Sequence, residues 1–279
     1  MLVSKRVTKM RRVVMITMLL VLSTKNAHCR TEWDCAGTSN TGTFQRSTGC
    51  TISGTSTTTG GGVVVTNTLE IVGTVEDMNN LIVITAPSKQ RHFYINGVND
   101  KLVLRYLKLE GGDVSSYSGS PDAVGGSICI YTSGTLLLYS SIIANNKAHY
   151  YGGGIYAYGD YSNIEHTQVI INGSTITGNQ ASDGDGGGGL YIENSNCVLV
   201  RTEISRNTAG AGGGGLCLVK DGSSGTMTVD IRETTFTANK ANNNGGNEIY
   251  TYGTPTISIV NTLFNQPIDS NHNFYEANG

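Results

Sequence analysis

Charge is scarce in this 279-residue chain: Asp, Glu, Lys and Arg together make up 14% of it, against roughly 25% in an average soluble domain. Proline is scarcer still, with 4 residues set against 37 glycines. After residue 22 no apolar run approaches the roughly 20 residues that cross a bilayer as a helix, so no later transmembrane helix is expected. The cysteines, at 29, 35, 50, 129, 197 and 217, and the scattered His92, His149, His166 and His272 follow no zinc-ligand spacing. No metal and no cofactor is therefore expected. A phosphate-cradling GxxxxGK[ST] loop is also missing.

The first 29 residues read as a secretory signal. Lys5, Arg6, Lys9, Arg11 and Arg12 precede the apolar run VVMITMLLVL (13–22), and Ala27 and Cys29 are small residues spaced for cleavage. Seven of the 19 basic residues fall within residues 1–30, whereas all 21 acidic ones lie beyond. Beyond residue 30 the chain would thus carry a net charge near −9, which offers no electrostatic reason to bind nucleic acid. Secretion permits disulfides, and Cys35 and Cys50 flank a short polar loop that a bridge would staple.

What is abundant is glycine, and it recurs in a pattern. GDGGGG (184–189) and GAGGGG (210–215) each fit the G-x-G-x-x-G nucleotide fingerprint, but each precedes a strand-like segment and neither opens a helix. Nucleotide binding is not expected. The clusters belong to an internal repeat: GGSICIY (125–131), GGGIYAY (152–158), GGGLYIE (187–193), GGGLCLV (213–219) and, with one extra residue, GGNEIYTY (245–252). A second segment alternates with the first, as in VIINGSTITGN (169–179) and VDIRETTFTAN (229–239). Its anchors Leu109, Ile143, Ile176, Ile204, Phe236 and Phe264 are 34, 33, 28, 32 and 28 residues apart. Apolar residues stand five and seven positions before each anchor from Ile143 on, and Ser or Thr two before. A period of two places the apolar set on one face of a strand. Short strands recurring at loose spacing predict a solenoid.

Asn146, Asn179, Asn207 and Asn239 follow four of the anchors by three residues. Stacked about 4.8 Å apart, they would form a hydrogen-bonded asparagine ladder at a buried turn. GG-x-I/L followed by F/I-x-x-N resembles the GGAI and FxxN repeats of the chlamydial polymorphic outer-membrane proteins. The match covers roughly 100–265, and the last repeat departs from it at Phe264-Asn265-Gln266-Pro267. The resemblance implies an all-β chain folded as a right-handed, single-stranded parallel β-helix solenoid of the pectin-lyase type. On that basis 30–50 would cap the first rung, 51–267 would form the solenoid, and 268–279 would be a tail.

Candidate sites lie on the outward faces. Tyr156, Tyr191 and Tyr250 alternate with inward Ile or Leu after the glycines, and Tyr131, Tyr158 and Tyr252 stand two residues further on. These six predict an exposed strip able to stack sugar rings or dock a protein. Asn172 begins an N-x-[ST] sequon for glycosylation. Arg201 and Glu233 share a column and are expected to pair. Asp183 and Asp185 could offer calcium oxygen ligands, but a solvated turn explains them better. Motifs of polysaccharide-processing enzymes on this fold, such as the NTD–DD–GHG set, are missing. The expected function is a secreted or surface-displayed, non-catalytic binding or adhesion module with an extracellular glycan or protein partner. The alternative is a carbohydrate-active enzyme, a polysaccharide lyase or epimerase, with catalytic residues unknown.

Overall fold

A computed structural model describes residues 31–37, 39–53, 60–160, 167–183, 186–222, 225–243, 245–265 and 274–277. The expected signal segment 1–29, Asp185 and most of the expected tail lie outside the described residues. From Glu32 onward the chain forms one compact unit.

Every described strand pairing is parallel, and among the described residues there is no α-helix. One rung shows how the chain winds. Gly134–Tyr139 lies in a first sheet, Ile142–Ala144 in a second, Lys147–Ala148 in a third and Ile155–Gly159 in a fourth, before Thr167–Asn172 returns to the first. Successive turns stack residue on residue, as with Leu136 on Val169 and Ile143 on Ile176. The molecule is a parallel β-solenoid, with sheets of nine, eight, five and eight strands in that order. The first sheet already contains Gly42–Arg46, which pairs with Thr68–Gly73.

The period-two columns form the core. Leu136, Val169, Cys197 and Val229 are in register and fully buried, as are Ile143, Ile176, Ile204 and Phe236. At the N-terminal end Trp33 is completely buried, its ring 6.0 Å from that of Phe93, and its indole N–H donates to the Ser39 carbonyl. Cys35 and Cys50 are joined by a disulfide beside it.

The corners account for the polar columns. Between the first and second sheets one residue takes a left-handed conformation: Ser140 (φ 44°), Gly173 (60°), Arg201 (48°) and Glu233 (50°). The Ser or Thr that follows donates its hydroxyl to the carbonyl two residues earlier, at 2.8 Å for Ser141 and 2.9 Å for Thr234. Each of these carbonyls also accepts a backbone N–H from the preceding rung, Tyr106 onto Tyr139 and Arg201 onto Arg232, so the hydroxyl is its second hydrogen bond. At the next corner the asparagines run as a continuous ladder. Backbone and side-chain N–H of Asn146 donate to Asn179 Oδ1, those of Asn179 to Asn207, and those of Asn207 to Asn239, all at 2.9–3.0 Å. Each amide also donates back to an anchor carbonyl, Ile143, Ile176 or Ile204.

The glycine turn is built around this ladder. In register the turns are four residues long, so Gly245-Gly246-Asn247-Glu248 matches Gly212 to Gly215, and the last repeat has no extra residue. The fourth position packs beneath the asparagine of the next rung. A Cβ on Gly189 would lie 3.0 Å from Asn207 Nδ2, and one on Gly215 would lie 3.0 Å from Asn239 Nδ2.

Candidate functional site

The outer face of the fourth sheet carries a second apolar cluster. Tyr94, Cys129, Tyr156, Tyr191, Cys217 and Tyr250 stack in one column. Apolar side chains on a solvent-facing sheet surface draw loops over themselves to remove that area from water. The 115–126 loop does so at the N-terminal half, where buried Val124 packs on the column. Buried Arg91 ties this loop down by donating to the carbonyls of Pro121 and Asp122, both at 2.8 Å, and its guanidinium lies 5.7 Å from the Tyr94 ring centre. Further along, Tyr151 takes over: its ring is 4.7 Å from Tyr191, which in turn stacks on Tyr156 at 5.5 Å.

The structure therefore corrects the expectation that six tyrosines share one exposed strip. Tyr156 and Tyr191 are only 4% and 6% exposed. Tyr131 and Tyr158 are half-buried and contact each other at 5.5 Å. Tyr250 is half-buried, and Tyr252 is the exposed member.

The residue of the next rung paired with Tyr151 is Gly186, and the two following positions in that column are Gly212 and Gly245. Gly212 lies so close to the Tyr250 ring that a Cβ there would come within 2.5 Å of it. These glycines put no side chain over the column, and a cleft of about 510 Å³ lies there. Tyr151, Tyr191, Tyr250 and Tyr252 line it, with Cys217 among the lining residues and the carboxylates of Glu193 and Asp221 beside them. Glu193 occupies the column position that holds Tyr158 on the preceding rung. Burial pushes its carboxyl up to about 7; the charge of Asp221 pushes the same way, and a hydrogen bond from the Tyr191 side chain acts against both. No Lys, Arg or His belongs to the described lining.

Of the sequence candidates, only Tyr191, Tyr250 and Tyr252 meet in this cleft. Tyr151 and Asp221 are members that periodicity could not reveal, because both lie in turns outside the repeating strands. Glu193 was legible only as a break in the tyrosine column. The asparagines form the ladder described above. Asn172 ends a strand of the first sheet, half-buried, where its side-chain oxygen accepts from Arg201 at 3.2 Å. That contact replaces the expected Arg201–Glu233 pair, for which the described residues show no ion pair. Asp183 lies 3.8 Å from His149 Nε2, and the described residues hold no group of three or more potential metal ligands. No family model matches this chain, and neither does any curated protein or solved structure.

Proposed function

We propose that this chain is a secreted or surface-displayed β-helix module that binds glycans without catalysis, built from repeats of the polymorphic outer-membrane protein type. The single observation behind the binding reading is the cleft of four tyrosines and two carboxylates on the outer face of the fourth sheet. Aromatic faces stack on the apolar faces of sugar rings, and carboxylates accept hydrogen bonds from sugar hydroxyls. A lyase or epimerase acting on acidic polysaccharides needs a cation to neutralise the uronate, and none of the described lining residues supplies one. A glycan array with wild type and Tyr252→Ala tests the reading. Binding that falls about tenfold or more in the variant supports it, and equal binding by both proteins removes the cleft from consideration.

A further inference from the structure

The cleft combines features that go beyond sugar stacking. Glu193 and Asp221 both line it, and Glu193 is half-buried. Negative charge in a partly desolvated site, with no positive side chain among the described lining residues, is relieved most by a ligand that brings a cation. The tyrosine faces around it attract an ammonium group through the ring quadrupole while presenting flat apolar walls to a ring. The same charges repel a uronate. The volume of about 510 Å³ lies in the range of small-ligand pockets.

We propose that this cleft is a subsite for an unacetylated hexosamine within a glycan, with the sugar ammonium held between Glu193 and Asp221 and the ring laid against Tyr250 and Tyr252. The assignment rests on the glycan-binding reading and narrows it to one ligand class. Acetylation removes the positive charge and enlarges the substituent, so the free amine is the discriminating group. The deacetylated sugar places its cation beside Glu193.

The test is calorimetric titration of wild type, Glu193→Gln and Asp221→Asn at pH 7 with tetramers of glucosamine, N-acetylglucosamine and galacturonic acid, and with tetralysine. The expected result is binding of the glucosamine tetramer about tenfold or more tighter than the acetylated one, lost by about tenfold in Glu193→Gln. The acetylated tetramer should bind wild type and variant alike. Far-UV circular dichroism of each variant controls for folding, and exposed Asp221 gives a second variant whose loss has no core consequence. Equal or tighter binding of the acetylated tetramer would overturn the assignment, as would tetralysine binding as tightly as the glucosamine tetramer. If glycans bind and Tyr252→Ala weakens them without any amine preference, only this assignment fails. If no glycan binds wild type, the glycan reading fails with it.

Discussion

Asn239 donates its side-chain N–H to the buried carboxylate of Glu248, and this contact ends the asparagine ladder. The next rung would need an asparagine at 267, where the chain has proline. Glu248 stands in the fourth turn position, the column of Ser127, Gly154, Gly189 and Gly215. Towards the N-terminus the same column holds His92, whose Nε2 is 3.1 Å from the carbonyls of Ile84 and Glu110 and whose Nδ1 is 3.0 Å from the Ser127 hydroxyl. The Ile84 carbonyl is the one that a ladder asparagine at Gly112 would reach. Small residues thus occupy the column wherever an asparagine lies above. At His92 and Glu248, which flank the asparagine run, a longer polar side chain fills the space and makes hydrogen bonds there.

Breaking the ladder in its middle should cost more than its one side chain implies. Asn207→Ala removes acceptance from two Asn179 N–H groups and donation to Ile176 and Asn239. Loss of about 3 kcal/mol or more is expected, since several buried groups lose partners together. Urea denaturation measures it, and a loss under about 1 kcal/mol would mean that water replaces the amide.

Gly215→Ala should destabilise by about 2–3 kcal/mol, because its Cβ would meet the Glu248 carbonyl at 2.7 Å and the ladder amide at 3.0 Å. Gly222→Ala is the matched control. There φ is +51° with open space around the added carbon, so only the backbone cost of about 1 kcal/mol applies. The same thermal melts report both.

The Cys35–Cys50 bridge closes a loop between residues 15 apart in sequence, and in the chain-entropy description such a crosslink contributes about 3 kcal/mol. Cys35→Ala/Cys50→Ala should lower stability by about that amount and loosen the N-terminal rung first. Hydrogen exchange should accelerate around Trp33 ahead of the solenoid's central strands.

Buried His92 and half-buried Glu193 should give opposing pH dependences. Burial depresses His92 to about 4 from 6.5, so its contribution is complete above pH 6.5 and lost as pH falls towards 4. Glu193 is raised to about 7 from 4.5, so its contribution is complete below pH 4.5 and lost as pH rises through 7. Between pH 4.5 and 6.5 the two partly cancel in wild type. Glu193→Gln should therefore show steeper acid destabilisation, reaching about 3 kcal/mol between pH 6.5 and 4 from the histidine. His92→Gln should show the reverse slope, with stability declining from pH 4.5 to 7. Parallel slopes in all three proteins would contradict the assignment.

Much of the architecture was legible in the residues. The anchors, the Ser/Thr column and the asparagines recur at positions that only stacked turns can align, and the register of Ile143, Ile176, Ile204 and Phe236 follows directly. The four-residue length of the glycine turn was harder to read, because GGNE departs in composition from GGGG although it occupies the same place. Tyr156 and Tyr191 were legible as outward-facing, but their burial was not. Whether an outward side chain meets water depends on loops whose course no strand periodicity encodes.

By itself the sequence determined the solenoid, since repeated apolar, hydroxyl and amide columns have a common low-energy arrangement only when stacked in register. Tertiary structure alone decided where the surface is open. The 115–126 loop, pinned by Arg91, and Tyr151 cover one half of the aromatic column, while Gly186, Gly212 and Gly245 put no side chain over the other half, where Tyr191 and Cys217 are buried and Tyr250 half-buried beside the cleft. That difference turns on which side chains reach across from neighbouring turns, and it brings Glu193 and Asp221 together with the tyrosines in one cleft.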